Sequence, residues 1–295
     1  MAATPRPRRS ALYVPGSNPR ALDKGRTIAA DVLILDLEDA VSVEEKEMAR
    51  AAVAAAVNVR AYGRREVVVR VNGLGTPWIA RDIAAAVAAE PDAVLIPKIS
   101  RAEDIRRARA ALTAAQAPDG LALWVMIETP LAVLNVASIA AVAQNGAPIP
   151  IDTLVIGTND LAREMHVPPK AIRRALQPAL SQCVLAARAY GLAVLDGTFN
   201  DLTDWSGFRA DCEDGRDLGM DGKTLIHPRQ VPIANEIFAP SDADVAWAEK
   251  VLAAFTRPEN ANRAVIAVEG QMVERLHADV AERILQTATA ILPEE

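Results

Sequence analysis

Two cysteines, Cys183 and Cys212, are all that 295 residues contain. Two thiols in a chain of this size make no disulfide framework, and their spacing suits no metal site, so a reduced cytoplasmic protein is the default expectation. Aromatic residues make up only 4% of the chain, which leaves the core to Ala, Val and other small aliphatics. No apolar run approaches the roughly 18 residues of a membrane-spanning helix, so no membrane partner is expected. Arg6, Arg8 and Arg9 form a small basic start, but no apolar segment of signal-peptide type follows them. A basic excess is also missing: 32 Lys and Arg against 38 Asp and Glu leave a net charge of −6. That balance argues against nonspecific nucleic-acid binding and still permits a local basic pocket. No GxGxxG turn follows the first apolar run, and no Walker pattern occurs, which weakens nucleotide-binding readings.

What the chain does have is a repeated alternation. Eight short β-rich apolar runs occur: SALYVPG (10–16), VLILDLED (32–39), EVVVRVN (66–72), AVLIPKI (93–99), LALWVMIET (121–129), TLVIGTND (153–160), LAVLDGTF (192–199) and GKTLIHP (222–228). Ala-rich segments with helical spacing lie between them, such as 44–59, 77–89, 101–114 and 169–190. Continuous apolar strands alternating with amphipathic helices predict a parallel sheet. Eight such units predict an α/β protein of the closed (β/α)₈ TIM-barrel class. Beyond the eighth unit, 242–255 reads as a helix, 257–270 as a polar, turn-prone stretch, and 272–292 as a last helix with Val273, Leu276, Val280, Ile284 and Leu285 along one face. The expected organisation is a catalytic barrel over 1–240 and a C-terminal helical extension over 241–295. The extension would cap its own barrel or pack on a neighbouring subunit.

In such a barrel the C-terminal strand ends share one mouth. Here they carry Pro15 and Gly16, Glu38 and Asp39, Arg70 and Asn72, Lys98, Glu128, Asp160, Asp196 and His227. Glu128 and Asp160 close consecutive apolar runs. Two acids delivered in this way could hold one hard divalent cation, which takes few carboxylates and keeps positions for water or substrate oxygens. The plainer readings are an ion pair between Glu128 and Arg70, and an N-cap role for Asp160. Arg70 sits among residues that read as fully buried, where an unpaired guanidinium is very costly. It must meet an acid, Glu38 or Asp39, or a substrate oxygen, and the two readings are compatible. Lys98 reads equally as an anion-binding group or a solvated loop lysine. His227 reads as a hydrogen-bonded structural residue, and no Ser/His/Asp arrangement is evident.

Several segments together resemble a known family. They are RSALYVPGSNPR (9–20), ADVLILDLEDAV (30–41), VVVRVNGLGTPW (67–78), VLIPKI (94–99), MIETPLAV (126–133), LVIGTNDLAREM (154–165) and MDGKTLIHPRQVPIANEIFAPS (220–241). In this order they resemble the citrate lyase β-subunit-like family, which includes malyl-CoA and citramalyl-CoA lyases. The resemblance spans about residues 9–290. It implies a (β/α)₈ barrel, Mg²⁺ with Mn²⁺ as a substitute, and reversible C–C cleavage of a β-hydroxyacyl-CoA to an acyl-CoA and a 2-oxoacid. It also implies Glu128 and Asp160 as metal ligands, Arg70 at the substrate, and Glu38 and Asp39 holding metal-bound waters and orienting Arg70.

A homotrimer or hexamer is implied as well, with the C-terminal segment covering a neighbour's site and supplying an acid. Here that motif reads GQMVE (270–274), so Glu274 stands where the family usually has Asp. Asn159 stands where the family often has Glu. Basic residues for the phosphates of CoA are sought in Arg9, Arg20, Lys24 and Lys98. Two alternatives remain beside the lyase reading. One is a malyl-CoA-type thioesterase or malate synthase activity. The other is a citrate lyase-like subunit acting on an acyl carrier protein.

Overall fold

The alternation closes on itself in the computed structural model, which describes residues 6–260 and 263–291, without the side chains of 144 and 145. Eight parallel strands pair in chain order: β1 (Ser10–Pro15), β2 (Val32–Asp36), β3 (Glu66–Arg70), β4 (Ala93–Ile96), β5 (Ala122–Ile127), β6 (Ile151–Ile156), β7 (Ala193–Asp196) and β8 (Gly222–Leu225). The ring is completed by β8 pairing with β1, with Ser10 beside Lys223. Helices α1 (Pro19–Lys24), α2 (Lys46–Asn58), α3 (Ile79–Ala89), α4 (Ala102–Ala114), α5 (Pro130–Ala141), α6 (Thr158–Glu164), α7 (Ile172–Tyr190), α8 (Trp205–Asp217) and α9 (Val231–Ile237) complete the α/β alternation. This is the (β/α)₈ barrel expected from the sequence. Each expected apolar run extends past its strand, from Gly16 beyond Pro15 to Asp160 beyond Ile156. The polar residues at the run ends leave the ladder and turn into the following loop or helix.

The strand interior explains where the chemistry can stand. Ala11, Val32, Ile34, Val68, Leu95, Trp124, Met126, Val155 and Leu195 form one buried cluster inside the ring. Along a strand, side chains two residues apart share a face. A step of two toward the C-terminal end therefore reaches Tyr13, Asp36, Arg70 and Glu128. The opposite end is plugged. Arg8 Nε and Nη2 each donate to Glu66 at 2.7 Å, Nη1 donates to Thr153 at 2.9 Å, and the guanidinium lies 4.9 Å from the Trp124 ring centroid.

Local signals start the helices that return the chain. Asn18 caps α1 and Thr129 caps α5, each followed by Pro at the first helical position, where a missing N–H costs nothing. Gly191 ends α7 in the left-handed conformation that favours glycine.

The chain divides into two compact units, residues 8–235 and residues 236–295 with 1–7. In the second unit, α10 (Asp242–Phe255) is the helix the sequence predicts. The expected final helix is partly corrected. Its first residues form β10 (Gln271–Glu274), antiparallel to β9 (Val265–Val268), and α11 spans Arg275–Ala290. Glu269 and Gly270 both have positive φ, which supplies the hairpin turn that the 257–270 stretch conceals. Leu292 lies outside the described residues. Val251, Phe255, Ile266, Val268, Val273 and Ala281 form this unit's core, with Ile284 and Leu285 packed on it. Leu276 and Val280, expected on the same apolar face, are exposed.

The β1–β8 closure permits no side chain at Gly222. A Cβ there would lie 1.9 Å from the Arg8 carbonyl oxygen and 2.7 Å from its carbon. Gly222→Ala is expected to destabilise the protein in urea by about 1–3 kcal/mol, as overpacked sites do. The control Gly73→Ala, with open space around its Cβ, is expected to stay within about 0.5 kcal/mol of wild type.

Candidate active site

Arg70, the last residue of β3, is the centre of the mouth. Its Nε and Nη2 donate to the two oxygens of Asp36 at 2.6 Å each, a bidentate pair across neighbouring strand ends. Asp36 also accepts the backbone N–H groups of Glu38 and Ala40, both at 2.9 Å. Burial alone would raise the Asp36 pKa, but Arg70 and these donors overcome it and hold the carboxyl below the usual range. Arg70 Nη1 is left for the mouth. It lies 2.9 Å from Glu38 Oε2 and 3.7 Å from Asp39 Oδ2. The Tyr13 ring stacks beneath the guanidinium, 4.6 Å from centroid to Cζ.

The sequence reading pairs Arg70 with Glu38 or Asp39. Both are in contact with it, but its principal partner is Asp36, which that reading passed over. The signal was available. Val32, Ile34 and Asp36 alternate onto one face, and an acid at the third place of such a series must enter the barrel.

Glu128 enters from the loop after β5. Its Oε1 accepts the Lys98 backbone N–H at 2.7 Å. Lys98 holds φ at +57°, a left-handed conformation unusual for a lysine, and this turns its N–H toward Glu128. The Lys98 ammonium stands 3.6 Å from Glu38 Oε1. Burial lowers the pKa of this amine, but Glu38, Glu128, Asp160 and Asp39 together raise it above its ordinary value. Asp160 sits in the first turn of α6 and pairs with Arg163 at 2.5 Å.

The mouth is over-supplied with negative charge. Asp36, Glu38, Asp39, Glu128 and Asp160 face two central cations, Arg70 and Lys98, and the exposed Arg163. Glu38 is pushed up to about 7 by burial, with Asp39 and Asp36 adding to the rise against the pull of Arg70 and Lys98. Glu128 is likewise pushed up to about 7, first by burial and then by Glu38 and Asp160, against the Lys98 N–H and Arg70. Hard oxygen donors that repel one another suit a divalent cation. Among the described residues no group of three or more His, Cys, Asp or Glu side chains gathers around one point. A cation here would rest on Glu128 and Asp160, with water and substrate completing its shell.

A buried polar frame stands behind the acidic loop. Lys46 Nζ donates to the carbonyls of Leu37 and Glu38 at 2.8 and 2.7 Å and to Asn72 Oδ1 at 2.9 Å. Asp82 accepts Asn72 N at 3.0 Å and Arg50 Nε at 2.9 Å. Asn72 thus serves the frame and not the mouth. No sequence signal marks Lys46 or Asp82, since nothing in a helical Lys or Asp distinguishes it from a solvated one, and Tyr13 reads as one more residue of the apolar β1 run.

Other expected residues go elsewhere. Arg9 precedes β1 and so stands at the opposite end of the barrel, where Nε and Nη2 bind Asp31 at 2.9 and 2.8 Å. It is corrected from a substrate contact to a structural ion pair. Lys24 is exposed at the end of α1. Asp196 steps outward from the ring and meets Lys223 and Arg173. His227 Nδ1 accepts the Arg229 N–H at 3.1 Å, a local structural bond as expected. Glu274 belongs to the C-terminal unit, where it ends β10 and its N–H donates to His277 Nδ1 at 2.9 Å.

The raised carboxyls fix a sign. Between the ordinary pKa of 4.5 and about 7, the unfolded chain ionises Glu128 while the folded chain keeps its proton. Ionisation therefore favours unfolding, and stability is lost as pH rises through that window. In EDTA, Tm is expected to fall from pH 4.5 to 7.5 through this contribution. Glu128→Gln should flatten the decline and melt above wild type at pH 8. A variant melting below wild type at pH 8 would contradict this electrostatic account.

Residues 9–228 match the HpcH/HpaI aldolase/citrate lyase family. The chain is 46% identical over 291 residues to a (3S)-malyl-CoA thioesterase of Cereibacter sphaeroides, covering 99% of this chain and 98% of that one. It is 34% identical to an L-malyl-CoA/beta-methylmalyl-CoA lyase of the same species, covering 97% and 96%. Its fold matches CitE of Mycobacterium tuberculosis, solved in complex with magnesium, acetoacetate and coenzyme A, with TM-score 0.76, 30% identity, and coverage of 98% of this chain and 100% of that one. A barrel whose mouth gathers Arg70, Glu38, Glu128 and Asp160, in a sequence matched over this length, belongs to the HpcH/HpaI aldolase/citrate lyase family.

Proposed function

We propose that this chain cleaves a β-hydroxyacyl-CoA thioester of the malyl-CoA class, releasing free CoA and the hydroxyacid. The substrate class is supported by the similarity to a (3S)-malyl-CoA thioesterase and to CitE, solved with magnesium, acetoacetate and coenzyme A. The choice of thioester hydrolysis rests on the full-length similarity to a (3S)-malyl-CoA thioesterase. Glu128 and Asp160 would hold Mg²⁺, as magnesium is present in the CitE complex. When bound, the ion supplies Lewis-acid charge for substrate oxygens.

This chain's own residues do the remainder. Arg70 is locked by Asp36 and points Nη1 into the mouth, where it stabilises the oxygen that becomes negative as water adds to the thioester carbonyl. Glu38 Oε2 is buried against Arg70 at 2.9 Å, while Oε1 lies 3.6 Å from the Lys98 ammonium. Oε1 is the acceptor for the proton of the attacking water. A carboxyl near pH 7 suits that task and can return the proton to the departing thiolate. The C–S bond breaks, and the C–C bond is left intact. Lys98 offers its ammonium to the substrate carboxylate or to the CoA phosphates.

A second reading is the C–C lyase, favoured by the 34% relative and by the family. In it the hydroxyl proton leaves, the Cα–Cβ bond breaks, a 2-oxoacid departs, and Arg70 stabilises the enolate of the acyl-CoA. A citrate lyase-like role on an acyl carrier protein would use the same mouth.

Assembly completes the proposal. Leu276 and Val280, one turn apart on α11, and Met272 of β10 are exposed on the C-terminal unit. We infer a homotrimer or hexamer in which this face is covered by a second copy and Glu274 serves a neighbour's mouth.

Purified protein with (3S)-malyl-CoA and Mg²⁺ is expected to release free CoA without 2-oxoacid, and EDTA is expected to stop it. Oxoacid release would transfer the assignment to the lyase. Glu128→Ala should reduce turnover by at least about 100-fold, since it removes a proposed ligand. Glu274→Gln should lower kcat with little change in melting; unchanged kinetics would remove Glu274 from the reaction. Light scattering is expected to give three or six chains per particle, and a monomer would overturn the assembly.

A further inference from the structure

We propose that Gly197 and Asn200, on the turn after β7, are positioning residues that set where Asp160 stands. The inference rests on the reading of Asp160 as a cation ligand.

Asp160 needs outside support. It lies in α6, a helix of 7 residues whose N-cap, Gly157, has no side chain to close the first turn. A helix this short does not hold its own geometry. The residues just before Asp160 are instead gripped one by one. Gly157 lies against Glu128, and a Cβ on it would fall 2.4 Å from Glu128 Cβ. Thr158 is buried against Gly197, where an added Cβ would fall 2.2 Å from Thr158 Oγ1 and 2.5 Å from its Cγ2. Asn159 exchanges amide bonds with Asn200. Asn200 Nδ2 donates to Asn159 Oδ1 at 2.8 Å, and Asn159 Nδ2 donates to Asn200 Oδ1 and Thr198 Oγ1, both at 3.2 Å. Two of the three grips come from the turn after β7.

That turn has a rigid floor. Asp196 is fully buried and accepts the Gly197 N–H at 2.8 Å, Lys223 Nζ at 2.8 Å, and Arg173 Nη1 at 2.8 and 3.0 Å. Lys223 is buried too and pairs with Asp211 at 2.5 Å. A buried ion network of this kind is a poor source of stability but has tightly defined geometry. A cavity of about 520 Å³ borders Thr158, Asn159, Gly197 and Asn200. Packing is therefore incomplete on that side, and the steric and amide contacts decide where the start of α6 lies. Asp160 in turn acts on Glu128 and Lys98 electrostatically, so a displaced α6 alters the acidic mouth.

The test is calorimetric titration of the full chain with Mn²⁺ alone, beside thermal melting. Gly197→Ala is expected to weaken Mn²⁺ binding by about 10-fold or more, and Asn200→Ala by several-fold, in keeping with residues that orient a ligand. Thr158→Gly combined with Gly197→Ala removes the clashing atoms and is expected to restore affinity. A double variant that binds no tighter than Gly197→Ala overturns the contact as the cause. If Gly197→Ala does not fold, Asn200→Ala decides, because Asn200 is exposed. Variants that bind Mn²⁺ as wild type does, while Asp160→Ala loses it, overturn the proposal and leave the cation reading intact. Wild type without Mn²⁺ binding, or Asp160→Ala binding normally, overturns the cation reading and the proposal with it.

Discussion

The Arg70–Asp36 pair is the constraint on which the mouth depends. A guanidinium in a residue only 6% exposed is largely cut off from solvent, so its charge must be met mainly inside the ring. Asp36 meets it with both oxygens, and the two backbone N–H groups that Asp36 also accepts fix the acidic loop that follows β2. The pair contributes little net stability, since desolvating both ions offsets most of their attraction. Its value is geometric. One bidentate contact fixes the plane of the guanidinium and leaves Nη1 facing the mouth. Removing either member alone would strand a buried charge, which typically costs about 3–5 kcal/mol.

The remaining acids are then arranged around a fixed positive point. Glu38 and Glu128 are both pushed up to about 7, with burial as the first cause in each case. Arg70 and Lys98 pull in the other direction and do not win. The excess is tolerated because the backbone is held from behind. Lys46 binds the Leu37 and Glu38 carbonyls, and Lys98 is held in a left-handed turn whose N–H reaches Glu128. The fold therefore keeps carboxylates close together that would separate if their loops were free. Stored repulsion of this kind is relieved by a cation or by a proton, which makes it useful at a site of chemistry.

Much of this was legible in the sequence because strand periodicity and barrel topology are simple rules. Eight apolar runs became eight strands, and Arg70, Glu38 and Glu128 came together at the mouth as their positions implied. The misses have specific causes. Asp36 was hidden by its neighbours Glu38 and Asp39, which look like the natural end of the run. Arg9 opens a family-like motif, yet a residue before a strand belongs to the other end of the barrel. Asp196 closes an apolar run just as Glu128 does, but it falls on the odd step and faces the helices. QMVE reads as the start of an amphipathic helix until the Glu269–Gly270 turn brings Val268 opposite Gln271. Counting by twos from the interior residues would have corrected the first and third of these.

The same counting bears on the choice between hydrolysis and C–C cleavage. Both reactions place negative charge on the thioester oxygen, in one as a tetrahedral oxyanion and in the other as an enolate, so the role proposed for Arg70 is common to both. They differ in what must move. Hydrolysis needs an activated water at the carbonyl carbon, whereas cleavage needs a base at the substrate hydroxyl and a dry enolate. Glu38 and Asp39 both stand beside Arg70, at 2.9 and 3.7 Å from Nη1. Whether the proposed base, Glu38, meets water or a substrate hydroxyl is set by what else occupies the mouth. A carboxylate one methylene longer than the usual aspartate, Glu274, changes reach and not charge. On the proposed reading, the choice between the two reactions turns on where water stands at the carbonyl carbon beside Arg70.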